Sequence, residues 1–320
     1  MLSIALVGTG RHSRRNHAPA LRRLATESPD KVNLAVVCDL NRVAAERVRA
    51  EYGFQRVAGS IEEMFSYGGV DAVVAVLPVA AILRTTEELL RYGKPLMIEK
   101  PLGSGPAEAR RLAAAVRDAG VPVQVSLNRR YDPGLRLALD WARSQGPVTS
   151  VHGRMLRHDR LEPDFLWGTS THLLDTLCFV AGSLVLPAGG AAATPGKTRC
   201  NRVGRLESAT GIAVTFEVLP DCGRVDERIT LAGQGYHVDI GIGTTAPWSV
   251  EAWRDGKPAW SRRGQADEPE FLRNGAAAEM DAFVSNLLTG RPLMPTVESA
   301  LHATRIAEEL DRMTPGFITT

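Results

Sequence analysis

The chain has 320 residues, 44% hydrophobic and 23% charged, which fits two globular domains and excludes disordered, collagenous and fibrous classes. Thirty-eight Lys and Arg stand against 36 Asp and Glu, a formal net charge of +2 with no basic stripe, so nothing favours a nucleic-acid or membrane-surface partner. No apolar run approaches the roughly 18–20 residues needed to cross a bilayer.

In chain order, short apolar runs at Leu2–Val7, Leu34–Cys38, Ala72–Leu77, Pro95–Ile98 and Val123–Ser126 read as strands buried on both faces. The first run lacks a cationic leader, which predicts a cytoplasmic protein. Helices are predicted near His17–Ala25, Arg42–Glu51, Ala81–Tyr92 and Pro106–Ala119, the last two ending at Gly93 and Gly120. Strand–helix alternation at this spacing predicts an α/β domain over residues 1–125, a doubly wound parallel sheet of the Rossmann type. Residues 126–320 read as an α+β domain with an open, mostly antiparallel sheet. It contains a helix near Gly134–Ser144, a strand at Val148–Leu156 and an apolar helix at Thr171–Ala181. Alternating strands follow from Thr198 to Trp253, then helices at Phe271–Leu288 and Val297–Met313. Ala188–Gly196 and Arg262–Glu268 are predicted loops. Cys38, Cys178, Cys200 and Cys222 are too scattered for a zinc cluster and are expected to be reduced thiols; no histidine pair has metal-ligand spacing, so no metal is expected.

The turn Gly8-Thr9-Gly10-Arg11-His12-Ser13 follows the first strand and opens a helix, the context of a dinucleotide fingerprint. Gly8 permits the tight turn and Gly10 lets backbone approach a pyrophosphate; Ser13 stands where Gly or Ala is usual. Asp39 ends the second strand, 29 residues past Gly10, where a carboxylate can accept the adenosine ribose hydroxyls. That favours NAD, whereas Arg42 and Arg11 offer a grip on the 2′-phosphate of NADP. The bland reading of both arginines is a solvated helix start.

Further on, Glu99-Lys100-Pro101 puts a lysine at the carboxyl end of a core strand, the edge where open α/β sheets bind ligands. His172 sits in the first turn of an apolar helix. Burial and a helix N-terminus both favour a neutral imidazole, available as base or donor; the plain alternative is a core histidine satisfied by a carbonyl. Asp175 orients that ring or caps a neighbouring loop.

With Gly8-Thr9-Gly10, Val70-Asp-Ala-Val-Val74 before Pro78, and Gly93-Lys94-Pro95 leading into Glu99-Lys100-Pro101, the chain resembles the Gfo/Idh/MocA oxidoreductases. Asn128-Arg129-Arg130-Tyr131-Asp132-Pro133, His172-Leu-Leu-Asp175 and Phe283 with Thr289-Gly290-Arg291-Pro292 extend the likeness along nearly the whole chain. The resemblance implies cofactor contacts from the glycine turn, Leu77, Pro78, Glu99, Lys100 and Pro101. It implies catalytic roles for Lys100 and His172, and a substrate pocket shaped by Arg129, Arg130, Tyr131, Trp167 and Asp175. The implied substrate is a sugar, cyclitol or related polyhydroxylated molecule, oxidised or reduced at a carbinol or carbonyl carbon. Two positions depart from the pattern. Gly168 replaces an aspartate four residues before the histidine, with Asp164 and Glu162 upstream as candidate substitutes, and Pro78-Val-Ala-Ala-Ile82 replaces Pro-Asn-x-x-His. The lost aspartate keeps open a redox-neutral elimination or glycoside cleavage through transient oxidation by tightly held NAD; a non-catalytic regulator is the third class. Relatives pair their open sheets, and helices on one side only would leave an apolar face, so a homodimer or homotetramer is expected.

Overall fold

The computed structural model describes residues 1–194 and 200–313. Contacts divide the chain into two compact units: Met1–Asn128 with Glu270–Leu272 and Ala276–Leu301, and Arg129–Pro269 with Arg273–Gly275 and the chain from His302 on. The first unit contains β1 (Leu2–Val7), α1 (Ala18–Glu27), β2 (Val32–Cys38), α2 (Arg42–Tyr52), β3 (Arg56–Ala58), α3 (Ile61–Ser66), β4 (Ala72–Ala75), α4 (Val79–Leu90), β5 (Leu96–Glu99), α5 (Pro106–Ala119) and β6 (Val123–Ser126). Its six strands are all parallel, in the order β3-β2-β1-β4-β5-β6. The strand order reverses between β1 and β4, which puts the ligand-binding crevice of such sheets beyond their carboxyl ends. Continuous apolar runs form these strands because helices cover both faces; β4, β5 and β6 are buried throughout. Neither β3 nor α3 is foreseen in the sequence reading. A π-helical turn at Ser13–His17 precedes α1, where a plain helix start is expected.

The second unit opens with α6 (Pro133–Gln145), β7 (Val148–Leu156) and α7 (Thr171–Ala181). It continues through β8 (Leu184–Val185), β9 (Ala191–Ala193), β10 (Arg202–Ser208), β11 (Ala213–Leu219), β12 (Asp226–Gly233), β13 (Tyr236–Gly241), β14 (Ser249–Arg254) and β15 (Lys257–Arg263). They form one nine-stranded sheet, mostly antiparallel, in which β7 lies between β12 and a parallel partner, β11. Gly153 on β7 makes the seat for α7: a Cβ there would stand 2.9 Å from Leu173 Cδ1 and Leu177 Cδ2. The predicted loop Ala188–Gly196 contains β9, paired with β10, and Arg262–Arg263 belong to β15. Residues 195–196 of that loop, and the expected strand start at 198–199, lie outside the described residues.

One expectation fails. Along β7 and β11 to β13 buried residues alternate with half-buried or exposed ones, and most of the latter are polar, among them His152, Arg154, Thr215, Glu217, Arg228, Thr230, His237 and Asp239, with Leu156, Leu219 and Ala232 between them. Thr230 Oγ1 donates to Asp239 Oδ1 at 2.8 Å across this face, and Arg154 Nη2 pairs Asp226 at 2.9 Å. The sheet's second face is therefore largely polar among the described residues, not the continuous apolar surface expected to demand a partner.

The closing helix splits into α8 (Glu270–Arg273) and α9 (Ala276–Thr289) at Gly275, whose φ of 88° an α-helix does not tolerate; α10 (Val297–Arg312) follows. α9 returns to the first unit. Its buried Glu279 accepts from Ser126 Oγ at 2.8 Å and Leu127 N–H at 2.7 Å, at the end of β6.

Candidate active site

Beyond β1, β2 and β4 the first unit holds a cavity of about 710 Å³, lined by Gly8 to Ser13, Asp39, Leu40, Leu77, Pro78 and the near face of α4. The two glycines of the turn differ in kind. Gly8 has φ 92°, and a Cβ there would lie 2.1 Å from the carbonyl oxygen of Val76, so no other residue fits. Gly10 has nothing within 4 Å of an added Cβ. Packing leaves that position free, and the open space is what a pyrophosphate drawn up to backbone would fill.

Asp39 lines the cavity and also builds it. Its Oδ2 accepts from Thr9 N–H at 2.8 Å and Thr9 Oγ1 at 2.7 Å, and its Oδ1 accepts from Asn41 N–H at 2.8 Å. A carboxylate oxygen has two acceptor positions, so Oδ1 retains capacity for a ribose hydroxyl. Arg42 is corrected. Its guanidinium is bound to Glu63, whose carboxylate also accepts from Gly59 N–H and Tyr67 Oη, each at 2.7 Å. Arg42 does not line the cavity, so a grip on a 2′-phosphate would first have to break that pair. The Arg42 hydrogen bond, with those from Gly59 and Tyr67, holds the Glu63 carboxyl down at about 2. Arg11 is exposed at the rim, as expected. Arg84 was missed, although Ala80, Ala81, Arg84, Thr85 and Glu88 recur at helical spacing along the cavity-facing side of α4.

Glu99, at the carboxyl end of β5, is buried and accepts from His12 Nε2 at 3.0 Å, His17 Nε2 at 2.6 Å and Lys100 N–H at 3.1 Å. A carboxylate only accepts, so both imidazoles carry a proton on Nε2. Burial pushes the Glu99 carboxyl up, but the two histidines outweigh it and hold it well below the usual range. His12 therefore has a second role beside the cofactor contact expected of it, since it joins the glycine turn to the strand end that carries Lys100. His17 was not anticipated. The trio is also a cluster of metal-ligand type, with donor atoms within 4.8 Å of one another. Its geometry is that of a hydrogen-bonded set, and among the described residues buried His17 Nδ1 has no acceptor to fix the tautomer a metal would require. Lys100 is half-buried, and it and Pro101 lie off the cavity lining.

In the second unit His172 is buried, as expected. Its helix does not begin there: helical structure runs in from Phe165 through a π-helical stretch at Leu166–Ser170, so the free N-terminus invoked for its neutrality is not present. Arg130 is paired within the unit. Its Nε and Nη2 donate to the two oxygens of Asp175 at 2.8 and 2.5 Å, and it is almost wholly buried. Asp175 thus holds a guanidinium in place of the imidazole or loop cap expected. Burial pushes the Asp175 carboxyl up, with Arg130 opposing. Arg129 reaches Glu227 at 3.3 Å, and Arg157 meets the same carboxylate at 2.5 Å. Tyr131 and Trp167 are half-buried.

The model of the Gfo/Idh/MocA oxidoreductases, described as having an NAD-binding Rossmann fold, matches residues 2–127, the span of the glycine turn, Asp39 and Glu99-Lys100-Pro101. The match is to this family's NAD-binding domain and spans the first unit's sheet, less than half of the chain. An inositol 2-dehydrogenase of Paracoccus denitrificans is 28% identical over 237 residues, 69% of this chain and 68% of its own length. An uncharacterized protein of Saccharomyces cerevisiae is 28% identical over 153 residues, which span 47% of this chain and 42% of that protein. In structure, a Gfo/Idh/MocA family oxidoreductase of Vibrio cholerae superposes with a TM-score of 0.80 at 19% identity, covering 96% of each chain. Residues 2–127 therefore carry that NAD-binding Rossmann domain, and the fold along the chain is that of the solved structure.

Proposed function

We propose that this protein is an NAD-dependent dehydrogenase acting on the carbinol carbon of a cyclitol or related polyhydroxylated molecule. The observation that carries the reading is the cavity at the β1–β4 reversal, with an obligatory Gly8, an open Gly10 and a carboxylate, Asp39, anchored at its edge. Its residues fit a dinucleotide: the turn offers N–H groups and space to a pyrophosphate, and Asp39 keeps acceptor capacity for a ribose. Glu63 on Arg42 removes the cation best suited to a 2′-phosphate, which favours NAD over NADP. The inositol dehydrogenase relative supports a cyclitol substrate.

When bound, NAD supplies a hydride acceptor at nicotinamide C4. The protein's part is proton and charge management. In this reading the Lys100 ammonium would polarise the reacting oxygen and lower its pKa and His172 would receive the hydroxyl proton, while the carbinol hydrogen departs as hydride with the C–H electron pair and the carbonyl forms. General acid–base groups contribute roughly 10²–10⁴-fold, so Lys100→Met and His172→Ala should each lower kcat by that order with NAD affinity little changed. The double variant should lose far less than the product of the two effects, because either loss disables the same transfer.

Anaerobic incubation with NAD or NADP and a panel of inositols and aldoses, followed by reduced-nicotinamide absorbance, tests the reading. Stoichiometric reduction of NAD by a cyclitol is expected. Substoichiometric reduction with turnover of substrate to a redox-neutral product would replace it with the elimination class.

A further inference from the structure

Glu99 closes β5, and its buried carboxylate gathers donors from separate stretches of the first unit. Oε1 accepts from His12 Nε2 at 3.0 Å and His17 Nε2 at 2.6 Å, and Oε2 accepts from Lys100 N–H at 3.1 Å. The last bond folds the side chain back on the next residue, so the carboxylate and the Lys100 backbone are oriented together. Whatever holds the carboxylate therefore holds the Cα from which the Lys100 ammonium is projected.

The two imidazoles hold it in different ways. His17 is 2% exposed and lies inside the π-helical turn, so its bond to Glu99 is shielded from water. His12 is 56% exposed and lines the cavity beside Gly10 and Arg11. Water competes there for donor and acceptor alike, which weakens the bond. Asn16 fixes the ring: its Nδ2 stands 3.3 Å from His12 Nδ1, and an amide nitrogen only donates, so the imidazole proton sits on Nε2 and points at Glu99. His17, Glu99 and Lys100 all lie off the cavity lining, and His12 is the member of the set on it. A pyrophosphate seated at the glycine turn would cover the ring and exclude water from the His12–Glu99 bond. A charge-assisted hydrogen bond gains strength in the lower dielectric that results.

We propose that His12 is a positioning residue for Lys100: acting through Glu99, it sets the lysine when the cavity is filled and leaves it less constrained when the cavity is empty. Its effect on rate rests on the dehydrogenase reading above, whereas the link from cavity to lysine does not. A catalytic group misplaced by about 1 Å can cost roughly 10²-fold, so loosening one of several anchors on Glu99 should cost about tenfold.

The test compares wild type with His12→Phe, which keeps a ring and removes the donor, and His12→Gln, whose amide can donate to Glu99 again. One arm reads kcat and KM for NAD with the best polyol of the inositol panel, beside melting temperatures. The other arm needs no turnover: ADP, which carries the adenosine and pyrophosphate and lacks the nicotinamide riboside, is added to reductively methylated protein while the carbon-13 methyl signal of Lys100 is followed. Lys100→Met identifies that signal by its loss. ADP should move the Lys100 signal in wild type. In His12→Phe that movement should be largely lost and kcat at saturating NAD should fall about tenfold. Its melting temperature should stay close to wild type, because His17 and Lys100 N–H still satisfy Glu99, and His12→Gln should recover most of both effects. A His12→Phe variant that raises KM for NAD but keeps the wild-type kcat and Lys100 movement would overturn the proposal and leave His12 a cofactor contact only. Loss of kcat that tracks the melting temperature and is not recovered by His12→Gln would overturn it as well, in favour of a structural role. Wild type that oxidises no polyol would refute the dehydrogenase reading alone, since the ADP-driven movement of Lys100 and its loss in His12→Phe decide the link without turnover.

Discussion

Gly8 and Gly10 look equivalent as letters and differ in what they tolerate. At Gly8 an alanine would combine a left-handed backbone with a collision against the Val76 carbonyl, a cost of about 4 kcal/mol, so Gly8→Ala should unfold or severely destabilise the first unit. Gly10→Ala meets nothing within 4 Å; stability should change by less than about 0.5 kcal/mol while NAD affinity falls at least tenfold, roughly. Thermal melts beside NAD titrations separate the two; a Gly10→Ala variant that binds NAD like wild type would remove the pyrophosphate from this turn. Asp39 invites a similar distinction. Because its carboxylate takes two bonds from Thr9 and one from Asn41, Asp39→Ser should weaken NAD binding about tenfold or more without improving NADP, since Glu63 still holds Arg42. Asp39→Ser with Glu63→Gln should shift the NADP/NAD affinity ratio upward. The Arg42–Glu63 pair spans 21 residues and lies on α2 and α3, the second of which is too short and weakly periodic to be read from sequence.

At the scale of elements, the first strand ends and helix starts are joined by one buried carboxylate. Glu99→Gln would turn one of its acceptor oxygens into an NH₂ facing donors, a loss of about 3 kcal/mol, with a melting temperature to match. The sign of its pH dependence is fixed. Since the folded-state value lies below the ordinary 4.5, the stabilisation is complete above that pH and disappears as pH falls through the folded value. The stability gap between wild type and Glu99→Gln, from urea melts, should be full near neutrality and shrink below about pH 4.5. A gap independent of pH would mean that Glu99 is uncharged. Elements with strong punctuation were legible: Pro106–Ala119 between Gly105 and Gly120, Thr171–Ala181 before Gly182, and β7 came out at the predicted bounds. β3, β8 and β9 have two or three residues each, too few for a period to register. The parallel β7–β11 pairing and the Arg130–Asp175 fork join residues more than 40 positions apart, and no local pattern encodes them. The candidate residues on strand ends were legible because the motif sits at a sheet edge.

For the molecule as a whole, the chain returns to its first unit through α9, so a fragment ending at residue 125 would lack α9, the end of β6 and the Glu279 bonds made there, and should melt well below the intact first unit. The nine-stranded sheet presents a largely polar face, and a homodimer or homotetramer formed there would draw chiefly on hydrogen bonds and ion pairs and should loosen in high salt. Light scattering at micromolar concentration is expected to give a multiple of 34.6 kDa at low ionic strength, and the single-chain mass there would contradict assembly. The dehydrogenase assignment itself is tested most directly by isotope transfer. Wild-type protein with NAD and an inositol deuterated at its carbinol carbons should yield reduced nicotinamide carrying deuterium at C4 together with one equivalent of ketone. Absence of deuterium from the nicotinamide, with the polyol consumed or untouched, would contradict hydride transfer by this protein.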